Sequence, residues 1–308
     1  MFAHAGGLPF SGRAEVFDQL VDAWKRCVAG GFQTVLLAGE PGIGKTRLAQ
    51  ELATRVHSGA GLVLAGRCDD DVAVPFQAFG AALDWQLKQT AADARLAALG
   101  DHAGDLVRLV PDLGSRVVGL PPALKDDADT ERYRLFQAVQ SWLSIGGVER
   151  PRLLVVDDLH WADKPTLLLL KHLIANPVAG LMVLCTYRDT DVDRSHPLSS
   201  MLADFRRVPA VKRIAVAGLA DDGVRDLLVR MGGHELDSAG LEFAVLVHRE
   251  TSGNPFFVGE VLRHLAETGA LVEQDGRWTS SLRPEEAGIP EGIREVVGPT
   301  AQSARRRG

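Results

Sequence analysis

Hydrophobic positions along the chain alternate between a spacing typical of buried β-strands and a spacing typical of helices. The apolar runs of strand length are Thr34–Ala38, Gly61–Ala65, Arg152–Val156, Leu181–Thr186 and Lys212–Val216. Between them, apolar residues recur every three or four positions, as in the predicted helix from Lys45 to His57, where Leu48, Leu52 and Val56 share one face. Strands that alternate with helices predict an α/β fold, in which a parallel sheet is flanked by helices.

The pattern changes after about Gly218 and becomes mainly helical. The predicted helices lie near Leu241–Arg249 and Pro255–Glu267, and Asp221 is predicted to cap an earlier helix. Two short extended stretches then flank Asp275-Gly276, a pair typical of hairpin turns. We therefore predict a sheet domain over residues 1–217, a helical lid domain over 218–298 and a disordered tail over 299–308.

Composition places the chain among ordinary globular proteins and narrows its partners. It has 308 residues, of which 46% are hydrophobic, and a net charge of −6. A basic surface for nucleic acid is therefore not expected. Three widely spaced cysteines form no zinc pattern. The first residues do not resemble a signal peptide, and no apolar run is long enough to span a bilayer, so we expect a cytoplasmic protein without a membrane partner.

The turn after the first predicted strand carries the pattern G-x-x-x-x-G-K-T at Gly39–Thr46. Glycines let the main chain curl so that its N–H groups face a phosphate chain, and the following helix presents its positive end to the same anion. In this pattern Lys45 reaches the β- and γ-phosphates, and the Thr46 hydroxyl is a ligand of Mg²⁺. The residues predicted to bind ATP in this P-loop are Gly39, Glu40, Pro41, Gly42, Ile43, Gly44, Lys45, Thr46 and Arg47.

A second acidic site is predicted where the strand Arg152–Val156 ends in Asp157 and Asp158. Parallel α/β sheets bind ligands at the carboxyl ends of their strands, and P-loop enzymes take a metal-binding acid from such a position. Asp157 is thus predicted to hold Mg²⁺, and Asp158 to orient or deprotonate the attacking water. Thr186 and Arg188 follow the next strand, where they can contact the γ-phosphate and add positive charge beside it.

The stretch Leu153–Asp163 resembles the Walker B signature of the signal-transduction ATPases with numerous domains, abbreviated STAND. The match is close to the ATPase modules of large bacterial LuxR-type transcriptional regulators, and the resemblance extends from about Leu8 to Gly298. It implies a P-loop NTPase sheet followed by a helical lid. Phe10–Glu15 is similar to the family's N-terminal box, which implies that Gly12 and Arg13 lie near the adenine. The family usually has valine where this chain has Ser11.

Gly253–Phe257 is similar to the lid motif of the same family, which implies that Pro255 packs near the adenine. From the residues alone, Asn254-Pro255 is simply a helix start. Such regulators continue into a winged helix, and Ile289–Gly298 is similar to its lead-in. Pro299–Gly308 has no apolar periodicity, so we expect a truncated or frame-shifted copy. Their sensor repeats and helix-turn-helix are not found, so direct DNA binding is not expected.

The leading functional hypothesis is an ATP-hydrolysing switch in which Lys45, Asp157, Asp158 and Arg188 are catalytic. Slow turnover is expected because Asp158 stands where faster ATPases often have glutamate. The expected partners are ATP, ADP and other proteins, or a second copy of the chain. Three alternatives stay open: a module that binds nucleotide without significant hydrolysis, a P-loop kinase of a small molecule, and a transcription factor that acts by itself.

Overall fold

Five parallel strands form the central sheet of the computed structural model, which describes residues 8–71, 74–89, 99–147, 149–274 and 277–280. The strands are β1 (Phe32–Ala38), β2 (Leu62–Arg67), β3 (Arg152–Asp157), β4 (Leu181–Tyr187) and β5 (Val211–Ala215). Their order across the sheet is β2-β3-β4-β1-β5. Each strand lies within two residues of its predicted position, and the predicted α/β fold is confirmed.

Helices flank this sheet because strands β3 and β4 carry apolar side chains toward both faces. Every residue of these two strands is buried, as expected for parallel strands covered on both sides. The helices along this part of the chain are α1 (Ala14–Val28), α2 (Lys45–Ser58), α3 (Gln77–Gln89), α4 (Leu113–Arg116), α5 (Ala128–Ser144), α6 (Lys164–Ala175) and α7 (Pro197–Phe205), with 3₁₀ helices at Gly100–Arg108 and Leu159–Trp161. Asp163 caps α6 by accepting the Thr166 N–H, and Pro165 lies in its first turn, as predicted.

A buried carboxylate joins the first 3₁₀ helix to α5. Asp105 is completely buried, and its two carboxylate oxygens accept bonds from Arg108, at 2.6 Å, and from Arg134, at 3.2 Å. Arg108 also pairs with Glu131 at 3.1 Å. A buried charge needs such partners, since removing one of them leaves the other uncompensated.

Three helices and a hairpin follow the sheet. The helices are α8 (Asp221–Gly232), α9 (Ser238–Thr251) and α10 (Pro255–Glu267), and the hairpin strands are β6 (Leu271–Gln274) and β7 (Arg277–Ser280). Their apolar faces share a core that includes Val224, Val247 and Val261. The predicted hairpin is confirmed, although its turn at residues 275–276 lies outside the described residues.

The prediction that Asp221 caps α8 is wrong. Ala220 occupies the cap position with an extended backbone, and no side chain caps the helix. Asp221 is instead the first helical residue, where its negative charge still interacts favourably with the helix dipole. The helix therefore starts one residue earlier than a capping Asp221 would require.

The described residues divide into two compact units that interleave along the chain. The first contains Asp18–Gly39 and Leu48–Ala215. The second contains Glu40–Arg47 together with the described parts of residues 2–17 and 216–308. Most of the P-loop thus belongs to the same unit as α8, α9 and α10, whereas the sheet belongs to the other. The predicted winged-helix lead-in and the predicted tail lie outside the described residues.

All three cysteines are free and buried. Burial raises the pKa of the Cys27 and Cys68 thiols to about 12, and it also raises the pKa of the Cys185 thiol. These thiols are therefore protonated at neutral pH. Among the residues that the structure describes, none of the helices has the length and apolar character that crossing a bilayer requires.

Gly66 in β2 provides a test of the packing between strand and helix. A Cβ on Gly66 would overlap the backbone carbonyl of Ala78 in α3. We expect Gly66→Ala to lower the free energy of unfolding by about 3 kcal/mol, because two backbone segments would have to separate. Urea denaturation measures this change.

Gly114→Ala is the matched control, because nothing lies within 4 Å of the added Cβ. It should be neutral or stabilise helix α4 by about 0.5 kcal/mol. Equal stability of the two variants would contradict the close approach of β2 and α3.

Candidate functional site

The P-loop is the turn between β1 and α2, as the motif predicts. Three of its glycines have positive φ: 157° at Gly39, 75° at Gly42 and 101° at Gly44. Side-chain-bearing residues rarely adopt these conformations, so the curled main chain depends on glycine here. Lys45 is the first residue of α2, so the positive end of that helix faces the turn.

Lys45 is buried, with 6% of its surface exposed, and its ammonium group lies across the turn. Its Nζ donates a hydrogen bond to the Glu40 carbonyl oxygen at 2.8 Å. An ammonium that spans the turn stands where phosphate oxygens bind in P-loops. Thr46 follows it in the first turn of α2 and is half-buried.

Arg13 holds the P-loop main chain from the N-terminal box. Its Nη2 donates to the Ile43 carbonyl at 2.9 Å, and its Nη1 donates to the Ala217 carbonyl at 2.5 Å. Burial lowers the pKa of this guanidinium to about 10. Gly12 packs against α8, because a Cβ there would lie 2.7 Å from the Gly223 Cα. Gly12 and Arg13, which the resemblance assigns to the adenine site, therefore also contact the main chain of neighbouring segments.

The start of α10 contacts the P-loop as well. Asn254 caps the helix by accepting the Phe256 N–H at 3.1 Å, and its Nδ2 donates to the Pro41 carbonyl at 3.0 Å. Pro255 is the first residue of the helix. A Cβ on Gly42 would lie 2.6 Å from the Phe256 Cβ, so glycine is required at this contact.

In the other unit, the acidic pair lies at the carboxyl end of β3. The Thr186 hydroxyl donates to Asp157 Oδ1 at 2.5 Å and accepts the Asp158 N–H at 3.0 Å. Asp157 is buried, with 4% of its surface exposed. Asp158 has a left-handed backbone, with φ of 55°, which is uncommon outside glycine and often marks functional sites. Thr186 thus fixes both acids at the edge of the sheet.

Polar side chains surround Asp158. Arg67 Nη2 lies 2.9 Å from its Oδ2, and the buried His160 has Nδ1 4.0 Å from its Oδ1. The other His160 nitrogen, Nε2, lies 3.7 Å from Asp191 Oδ2, and Arg188 Nη1 lies 3.5 Å from the same oxygen. The predicted catalytic Arg188 is therefore paired with an acid of its own loop.

Arg67 and Asn254 are the functional candidates that the sequence analysis missed. Arg67 is the last residue of β2, and the strand register places it beside Asp157. The shared carboxyl edge of parallel strands is the signal that could have found it. No comparable sequence signal pointed to the bond between Asn254 and Pro41.

The donors at these positions suit magnesium. A hydroxyl at Thr46 and a carboxylate at Asp157 are the oxygen ligands that Mg²⁺ prefers, and Mg²⁺ usually needs only one or two protein groups besides substrate phosphates. Among the described residues, no group of three or more His, Cys, Asp or Glu side chains could hold a metal ion. Each of the two groups, taken by itself, is an oxygen donor of the kind that suits magnesium.

Comparison with known proteins gives a family match and several similarities of fold. Residues 9–184 match the family model described as AAA ATPase domain. No curated protein matches the chain. Among solved structures, a Walker-type ATPase of Pyrococcus abyssi is similar with a TM-score of 0.52 and 12% identity, over 97% of this chain and 77% of that one.

Two further solved structures are similar at lower scores. A mutant RuvB of Thermotoga maritima has a TM-score of 0.45 and 16% identity, over 95% of this chain and 74% of that one. A STAND protein with a tetratricopeptide repeat sensor from Pyrococcus horikoshii has a TM-score of 0.43 and 17% identity, over 84% of this chain and 31% of that one. At identities this low, such similarities concern the fold alone.

Thr186 tests the geometry of the acidic pair. We expect Thr186→Val to lower the free energy of unfolding by about 1–3 kcal/mol, because the Asp158 N–H loses its acceptor and Asp157 loses a donor. Thr186→Ser retains the hydroxyl and should cost about 1 kcal/mol or less, for the lost methyl group. Urea denaturation compares them, and a valine variant as stable as the serine variant would refute the bonding scheme.

Proposed function

Because the chain belongs to the AAA ATPase domain family, we propose that it binds ATP as a magnesium complex and hydrolyses it slowly, as a nucleotide-driven switch. One observation carries the proposal. The complete G-x-x-x-x-G-K-T motif forms the turn between a buried parallel strand and a helix, with Gly39, Gly42 and Gly44 in conformations that favour glycine. This is the arrangement that phosphate binding by main-chain N–H groups requires.

In this proposal each polar group has one task. The P-loop N–H groups, together with Arg47 in the first turn of α2, hold the phosphates, and Lys45 neutralises the β- and γ-phosphate charge. Thr46 and Asp157 would hold Mg²⁺, which would polarise the terminal phosphate. Asp158 accepts a proton from the attacking water or orients it.

The remaining candidates complete the site. The Thr186 hydroxyl keeps Asp157 and Asp158 oriented through the bonds described above. Arg188 adds positive charge near the γ-phosphate. Gly12, Arg13 and Pro255 lie near the adenine, an assignment that rests on the family resemblance.

The switch part of the proposal concerns the helical part of the chain. In one compact unit, Asn254 donates a hydrogen bond to the Pro41 carbonyl and Arg13 donates one to the Ile43 carbonyl. A conformational change of the P-loop therefore alters its contacts with the start of α10. The Walker B stretch favours a regulatory module of the kind found in LuxR-type regulators. Such a module acts in the cytoplasm on protein partners or on a second copy, without binding DNA itself.

A second candidate function is nucleotide binding without significant hydrolysis. The ion pair between Arg67 and Asp158, at 2.9 Å, favours it, since a carboxylate oxygen bonded to a guanidinium is not free to contact the attacking water. Phosphate release by the purified chain separates the two candidates.

Lys45 tests the binding site. We expect Lys45→Ala to weaken Mg-ATP binding at least about 100-fold, because a buried ammonium aimed at the phosphates is lost. The fold should persist. Calorimetric titration measures the affinity, with Lys88→Ala as the control, because Lys88 is an exposed lysine paired with Asp84 on α3. Equal affinities of Lys45→Ala and Lys88→Ala would remove the binding proposal.

Asp158 tests hydrolysis separately from binding. We expect Asp158→Asn to lower the turnover number about 100-fold, because the amide cannot accept a proton, while ATP affinity changes only a few-fold. Phosphate release under saturating ATP measures this. Asp204→Asn, at an exposed carboxylate paired with Lys171, should behave as wild type. Undiminished turnover in Asp158→Asn would exclude Asp158 as the base.

A further inference from the structure

Two carbonyl groups of the P-loop are held by buried side chains from outside the loop. Asn254 Nδ2 donates to the Pro41 carbonyl at 3.0 Å, and Arg13 Nη2 donates to the Ile43 carbonyl at 2.9 Å. Asn254 is 3% exposed and Arg13 is 8% exposed. Buried hydrogen bonds of this kind are costly to break without replacement. We therefore expect the P-loop, Asn254 and Arg13 to change conformation together.

Asn254 and Arg13 are also connected to each other. The P-loop, Arg13, residues 217–219 and residues 253–254 therefore form a closed ring of contacts. The second nitrogen of Arg13 donates to the Ala217 carbonyl at 2.5 Å. Two residues further along the chain, the Leu219 N–H donates to the Gly253 carbonyl at 2.7 Å, and Gly253 precedes Asn254. A displacement of the P-loop at Pro41 thus reaches the start of α10 directly and also through Arg13.

The segments of this ring are packed too closely to move independently of one another. A Cβ on Gly218 would overlap the Ser252 carbonyl, and a Cβ on Gly253 would overlap the Leu219 carbonyl. Ser252 and Gly253 are both in the left-handed region, with φ of 51° and 68°. Closely packed segments move as a body between discrete arrangements rather than deforming gradually.

Asn254 is the point where the ring meets the helix. Its side-chain oxygen accepts the Phe256 N–H and caps α10, while its side-chain nitrogen holds the P-loop. One planar amide therefore joins the first turn of the helix to a phosphate-binding main chain. Serine could replace the cap almost fully, but its hydroxyl is too short to reach the P-loop as well.

We propose that Asn254 is the positioning residue that couples the nucleotide state of the P-loop to helix α10, with Arg13 as the second link. The inference rests on the proposed function, because it needs nucleotide in the P-loop. When main-chain N–H groups turn toward phosphate oxygens, the peptide planes that carry the neighbouring carbonyls turn with them. The bonds from Asn254 and Arg13 then differ between the nucleotide-free and nucleotide-bound states, which is what coupling requires.

Hydrogen–deuterium exchange on the full chain tests the proposal. The chain is compared without nucleotide and with saturating Mg²⁺ and a non-hydrolysable ATP analogue. In wild type, analogue binding should change exchange of the α10 amides at least about fivefold. In Asn254→Ser the change in α10 should fall below about twofold, while protection of the P-loop amides by the analogue persists.

Two further variants sharpen the comparison. Asp237→Ser is the matched control, because Asp237 caps α9 by accepting the Gly240 N–H and has no part in the ring. It should keep the full response of α10. Arg13→Lys retains the charge but loses the planar guanidinium that donates to two carbonyls. It should reduce the change in α10 exchange by about twofold or more. This second variant decides the matter if Asn254→Ser does not fold.

The outcomes separate the coupling from the proposed function. A wild-type response of α10 that survives unchanged in both Asn254→Ser and Arg13→Lys overturns the coupling. Analogue binding to wild type without any change in α10 overturns it too, and leaves nucleotide binding intact. If wild type binds no analogue at all, as judged by unchanged P-loop exchange, the proposed function fails and the coupling fails with it.

Discussion

A triphosphate carries several negative charges within a few ångströms, and a protein that binds it must gather N–H donors around it without crowding it with side chains. Glycines with positive φ at residues 39, 42 and 44 let the chain curl in this way between β1 and α2. The same absence of a side chain allows Phe256 to lie against Gly42, and it leaves the Pro41 carbonyl within reach of Asn254. The demands of phosphate binding and of helix packing therefore meet on the same few residues.

Parallel pairing places chemistry at one edge of the sheet. Because β2, β3 and β4 run in the same direction, their carboxyl ends bring Arg67, Asp157 and Thr186 together. Thr186 bonds to both acids, and Arg67 pairs with Asp158. The chain also leaves β1 for the P-loop at this edge. Strand direction thus brings Arg67 and Thr186 to the two consecutive acids without a long loop.

The strands and the P-loop turn could be predicted because their signals are local: apolar runs of strand length, and glycines before a lysine and a threonine. Contacts between segments that are distant in the sequence could not be predicted in this way. The bonds of Arg13 to Ile43 and of Asn254 to Pro41 depend on tertiary approach, which no spacing in the sequence reveals. The helix start at Asp221 was misplaced by one residue because an aspartate is favourable both at the cap and in the first turn. The place of Arg67 beside Asp157 could have been predicted from the register of the parallel strands.

We propose that the P-loop and the strand-end acids bind one magnesium–triphosphate complex. The decisive measurement is a crystal structure of the chain with Mg²⁺ and a non-hydrolysable ATP analogue. We expect phosphates among the main-chain N–H groups of residues 39–46, with the ion on the Thr46 hydroxyl and the Asp157 carboxylate beside it, directly or through water. A nucleotide bound elsewhere, or an Asp157 carboxylate remote from the ion, would refute this proposal.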